Sequence, residues 1–113
     1  MTAPQRVVFG QFARGDLNKI YQYVRERSGS GAPAKAYLRC IRDRCLKISD
    51  FPFSGVSRED LAEGIRLVVF ERRVVILYRV EDDAVFITNI ISGGRDYESL
   101  FGHLGLIPPE DPT

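Results

Sequence analysis

Three runs rich in Val, Ile, Phe and Tyr follow one another with almost nothing between them: Ile65 to Phe70, Arg73 to Val80 and Ala84 to Ile91, separated by Glu71-Arg72 and by Glu81-Asp82-Asp83. Such composition and spacing predict three strands. A parallel connection needs a crossover of a dozen or more residues, so strands joined this tightly must run antiparallel, as a meander. Alternation then assigns the faces. Val74, Ile76, Tyr78 and Val80 share one side, and Val75, Leu77 and Arg79 the other. Likewise Ile65, Leu67 and Val69 lie opposite Arg66, Val68 and Phe70, and Val85, Ile87 and Ile91 lie opposite Phe86, Thr88 and Ile90. Both faces are largely apolar, so a sheet built from these runs must be covered by something else in the chain.

The cover is predicted upstream. From Ala13 to Arg27 the apolar residues Ala13, Leu17, Ile20, Tyr21 and Val24 recur at helical spacing, with Asn18, Lys19, Gln22, Arg25 and Glu26 on the other side. Ser28-Gly29-Ser30-Gly31 breaks the pattern, and Pro33 suits the first turn of a second helix. That helix, Ala34 to Ile48, places Ala34, Tyr37, Leu38, Ile41, Cys45 and Ile48 on one stripe and Lys35, Arg39 and Arg42 on another. So short a link predicts an antiparallel helical hairpin. Pro52 and Gly55 end the helical region, and Arg6-Val7-Val8-Phe9 before Gly10 reads as a first strand. The expected fold is a two-layer α+β sandwich, β-α-α-β-β-β, with the hairpin on one face of an antiparallel sheet. One hairpin covers one face only. The second face, on the order of a few hundred Å² and edged by Arg66 and Arg79, is expected to receive a partner protein or a second copy of the chain, with Leu77 or Phe86, whichever lies on that face, as a contact residue.

With 113 residues, the chain is long enough for one core and too short for two. A single domain over residues 1–104 is expected, followed by a disordered tail, 105–113, in which Pro108, Pro109 and Pro112 accompany two acids. Asp96 to Phe101 reads as one helical turn or an extended arm. No run of about 18 apolar residues occurs, and Met1 to Arg6 lacks the pattern of a signal peptide, which leads to the expectation of a cytoplasmic protein without a membrane segment. Cys40 and Cys45 fall about 140° apart around a helix, beyond disulfide reach, and are read as buried or half-buried free thiols. No cofactor or metal motif is found. The net charge of +1 hides an asymmetry: residues 1–50 hold ten Lys+Arg against four Asp+Glu, and residues 51–113 hold six against eleven. A nucleic-acid binder is usually basic throughout, whereas opposed patches suit a protein partner.

Ala13, Asp16-Leu17, Ile20-Tyr21, Tyr23-Val24, Ala36 to Ile41, Cys45-Leu46, Pro52, Gly55, Arg58-Glu59-Asp60-Leu61, Gly64-Ile65-Arg66, Val75 to Val80 and Ile90-Ile91-Ser92-Gly93-Gly94-Arg95-Asp96 together resemble the RelE/ParE toxin superfamily, its ParE branch more than its ribonuclease branch. The resemblance spans Ala13 to Phe101 and rests on order and spacing. Members typically carry a His near Ser92, where this chain has Ser. The resemblance implies the toxin of a type II toxin–antitoxin system, a non-catalytic protein that captures DNA gyrase and is neutralised by a cognate, ParD-like ribbon-helix-helix antitoxin; the open sheet face adds the expectations that the antitoxin binds there and that a homodimer forms when antitoxin is absent. The alternative on the same fold is a ribosome-dependent messenger RNA endonuclease.

A ribonuclease using the adjacent 2′-hydroxyl needs a general base, a general acid and cations for the phosphate. Arg66, Arg72, Arg73, Arg79 and Arg95 offer the cations, but a guanidinium is a poor proton-transfer group. Glu63, Glu71, Tyr97 and His103 would have to carry the protons, and no Lys follows Lys47. The reading adopted is binding rather than catalysis, with Arg66, Arg79, Arg95, Asp96 and Tyr97 at the working surface beside Leu77 and Phe86.

Overall fold

The computed structural model describes residues 6–71 and 73–92. The expectations for Arg95, Asp96, Tyr97, His103 and the tail therefore lie outside the described residues. The elements are β1 (Arg6–Phe9), α1 (Gln11–Ser28), α2 (Gly31–Ile48), β2 (Val56–Ser57), β3 (Arg66–Phe70), β4 (Val74–Glu81) and β5 (Ala84–Ser92). This is the predicted α+β order with one addition, the two-residue β2. No helix among the described residues is long and apolar enough to cross a membrane.

The sheet order is β1-β5-β4-β3-β2. The meander is antiparallel as predicted, but the sheet is mixed, because β1 pairs in parallel with β5, Arg6 against Ala84 through Phe9 against Ile87. The chain between them, the helical hairpin followed by β2, β3 and β4, supplies the long connection that parallel pairing requires. Both helices begin earlier than their apolar spacing suggests. The Ser30 hydroxyl accepts from the Ala32 N–H at 3.2 Å, so the α2 cap precedes Gly31 and puts Pro33 inside the first turn. Gly29 closes α1 with φ of 76°, a left-handed conformation that favours glycine.

One face carries the main core. Ala13 and Ile20 of α1 and Ile41, Cys45 and Ile48 of α2 pack on Val68, Val74, Ile76, Tyr78, Val85, Ile87 and Ile90. The predicted faces of β3 and β4 hold, but that of β5 is corrected. Tyr78 pairs with Ile87 and Leu77 with Asn89, so Thr88 is an extra residue, a β-bulge that inverts the alternation beyond it. Ile90 joins Val85 and Ile87 under the helices, and Ile91 turns to the second face. The Thr88 hydroxyl donates to the Leu77 carbonyl at 3.1 Å across the irregularity.

β1 ends where it meets Ile87, so β5 runs on without a neighbouring strand on that side. Asp16 takes over: its Oδ2 accepts from the Ile90 N–H at 2.9 Å, one helical carboxylate standing in for a strand carbonyl. On the outer edge of the sheet the Phe9 carbonyl accepts from Arg14 Nη1 at 3.0 Å, which blunts an edge strand with a charged group.

Candidate functional site

The second face of the sheet is not open as expected. Residues between β2 and β3 fold back across it, and Ala62, Ile65, Leu77 and Ile91 form a second small core bordered by Leu61, Leu67 and Val75. Leu77 is 0% exposed. Of the apolar residues on that face, Val69 remains well exposed. Arg58 secures the cover: its backbone N–H donates to the Ile65 carbonyl at 2.8 Å, and its side chain holds Asp60 through two hydrogen bonds of 2.9 and 2.8 Å. These bonds to Arg58 keep the Asp60 carboxyl below its ordinary pKa. Asn89, across from Leu77, is also fully buried, and its side-chain amide has no hydrogen-bond partner among the described residues.

Arg66 and Arg79 do not edge one face together. Arg66 pairs in register with Tyr78, whose side chain belongs to the helix-covered core, whereas Arg79 pairs with Phe86 on the opposite side. Each guanidinium has local partners. Arg79 Nε lies 2.9 Å from Glu81 Oε2, and the guanidinium lies 5.9 Å from the centre of the Phe86 ring. Arg66 Nη1 donates to the carbonyls of Phe53 and Gly55 at 3.0 and 2.8 Å. Asp60, also near in sequence, pairs with Arg58 at 2.8 Å.

The Tyr78 hydroxyl completes the attachment of the loop after α2. It donates to the Pro52 carbonyl at 2.8 Å and accepts from the Gly55 N–H at 3.0 Å. Burial raises the Tyr78 pKa, against the opposing pull of the Gly55 N–H and of Arg66 and Arg44. The phenol therefore stays neutral and keeps the proton that it donates to Pro52. Cys45 is buried, with its thiol pushed up to about 12, while Cys40 is exposed; the expected burial holds for one cysteine only. A high pKa makes Cys45 a packing residue rather than a nucleophile.

On the outer side of the hairpin lies a solvent-open groove of about 600 Å³. Leu17, Tyr21, Leu38 and Leu46 supply its apolar lining, and Lys35, Arg39 and Arg42 its cations, with Asp43 the one acid. The cationic stripe of Lys35, Arg39 and Arg42 was legible in the sequence. That it borders a groove was not, because the groove depends on how α1 packs beside α2. A sign was available: Leu46 falls outside the predicted apolar stripe of α2, and it is exposed.

The chain matches a known family, described as "ParE toxin of type II toxin-antitoxin system, parDE", over residues 7–97. It is 31% identical over 97 residues to Toxin ParE3 of Caulobacter vibrioides (strain ATCC 19089 / CIP 103742 / CB 15), an alignment covering 86% of this chain and 95% of that protein. Among solved structures, a chain of the chromosomal ParDE TA system from P. aeruginosa superposes with a TM-score of 0.68 at 20% identity, over 79% of this chain and 96% of that one.

Proposed function

The chain belongs to the ParE toxin family of type II toxin–antitoxin systems, and from that premise we propose that it inhibits DNA gyrase by binding and is neutralised by a ParD-like antitoxin. The observation that carries the binding reading is the engagement of Arg66 and Arg79. Catalysis of phosphoryl transfer uses cations aimed at the reacting phosphate. Here Arg66 donates to two backbone carbonyls, and Arg79 forms an ion pair with Glu81 in which Nε, though 2.9 Å from the carboxylate, makes no hydrogen bond among the described residues. The alternative, a messenger RNA endonuclease, would have to draw its machinery from other side chains.

For the antitoxin, the hairpin groove is the better candidate than the second sheet face, which is largely covered by the chain itself. From Lys35 to Leu46 it spans about 16 Å of α2 at 1.5 Å per residue, the length of about three helical turns. Apolar residues along the floor and three cations at the rim suit an amphipathic helix with acidic flanks. Arg79 and Phe86, half-buried on the other face, remain candidates for a secondary contact.

Hydrogen exchange tests this placement. Adding a purified ParD-like antitoxin should slow exchange in α1 and α2, and Lys35→Glu/Arg39→Glu/Arg42→Glu should weaken binding by about 100-fold or more, since reversed charges cost several kcal/mol in total. Protection confined to β3–β5, with the triple variant binding normally, would return the antitoxin to the sheet.

A further inference from the structure

A loop that shows large apolar side chains to water is ordinarily free to move, since nothing offsets the entropy of fixing it. The loop between α2 and β2 is different. Phe51 is 73% exposed, Phe53 64%, and Val56 at the start of β2 63%. Yet the backbone between them is fastened from beneath. The Tyr78 hydroxyl holds Pro52 and Gly55, Arg66 holds the carbonyls of Phe53 and Gly55, and the Ser54 N–H closes the turn onto the Phe51 carbonyl at 3.0 Å. The Arg66 guanidinium also lies 5.1 Å from the centre of the Phe53 ring, within cation–π range. A buried tyrosine, a half-buried arginine and a buried glycine together fix a finger whose apolar tip stays in water. Pre-organised aromatic side chains beside arginine are the usual composition of a binding hot spot, because they lose little freedom on docking.

We infer that Phe51 and Phe53 anchor this toxin to the protein it acts on, by entering an apolar cleft with carboxylates at its rim. The rim chemistry follows from the foot of the finger. Arg66 and Arg44 both lie close enough to influence the Tyr78 hydroxyl, and exposed Lys47 stands one turn before Phe51; Asp50 is the exposed acid in the same turn. The antitoxin is a poorer occupant, because no residue from Ser49 to Ser57 lines the hairpin groove assigned to it. This inference rests on the reading of the chain as a toxin that works by binding.

The test is Phe51→Ala/Phe53→Ala in the full chain, with three readouts: growth arrest on induction, inhibition of purified gyrase, and affinity for a purified ParD-like antitoxin that binds the parent chain. The side chains removed are largely in water, so the melting temperature should stay within about 3 °C of the parent. Growth arrest should be lost, the concentration needed to inhibit gyrase should rise about tenfold or more, and antitoxin affinity should be unchanged. Undiminished toxicity overturns the inference, as does an equal loss of antitoxin affinity, which would assign the finger to that interface. Should the parent chain arrest growth without touching gyrase while the double variant is harmless, the finger stands and the choice of gyrase falls. A parent chain that neither arrests growth nor inhibits gyrase overturns both.

Discussion

Leu77→Glu is expected to abolish the cooperative thermal transition, leaving a chain that does not fold at 25 °C. Leu77 is fully buried in the second core beside Ala62, Ile65 and Ile91. Removing its side chain atoms alone would cost about 2–5 kcal/mol. A carboxylate at the same place adds several kcal/mol of desolvation with no cation beside it among the second-core residues. A domain of this kind has only about 5–15 kcal/mol in total. Phe86→Glu should behave differently. Phe86 is half-buried and lies against the Arg79 guanidinium, so the new carboxylate would gain a cation and stay partly in water. It should melt cooperatively, about 5–10 °C below the parent. Circular dichroism of both variants decides the matter. A Leu77→Glu variant that melts near the parent temperature would mean that residues 58–65 do not cover this face in solution.

The second large effect is expected at Gly55. A Cβ there would sit 2.4 Å from the Tyr78 hydroxyl oxygen and 2.9 Å from Cε1 of the ring, inside any permissible contact. The ring is packed in the main core and cannot retreat, so Gly55→Ala must displace the loop and break the hydrogen bonds that the hydroxyl makes. Overpacking of about 1–3 kcal/mol adds to about 1–3 kcal/mol for buried polar groups left unpaired. Together these cost about 2–6 kcal/mol, which lowers the melting temperature by about 8–48 °C at about 4–8 °C per kcal/mol. The double variant Gly55→Ala/Tyr78→Phe supplies the control. Deleting the hydroxyl removes the worst contact, so it should be more stable than the sum of the single effects predicts, by about 1 kcal/mol. Strict additivity would mean that Tyr78 is not seated beneath Gly55.

These two positions also show what the sequence made legible. Apolar spacing revealed both helices and alternation revealed three strands, because such patterns are local: each residue is judged against neighbours three, four or two places away. Alternation also placed Leu77 and Arg79 on the face opposite Tyr78. The burial of Leu77 was hidden because its cover includes Leu61 and Ala62, apolar residues in a loop without periodicity. The bulge at Thr88 was hidden for a related reason. It is a property of the pairing between β4 and β5, and it moved Ile90 and Ile91 to faces that counting along one strand cannot give. The parallel partner of β1 lies more than 70 residues away and leaves no trace in Arg6 to Phe9. Arg66 and Arg79 appeared as a pair because each sits on a strand, and only the register shows them back to back. Gly55 and Tyr78 were both visible among the family-like residues, but their mutual contact, 23 residues apart, depends on the folded loop.

The measurement that bears most directly on the central claim is DNA supercoiling by purified gyrase in the presence of the purified chain, with ribosome-bound messenger RNA in a translating extract as the parallel substrate. A toxin that acts by binding should stop supercoiling, release that inhibition when the antitoxin is added, and leave the messenger RNA full length. Cleavage of the messenger RNA at codon positions, with supercoiling undisturbed, would contradict the account and make the chain a ribonuclease on the same fold.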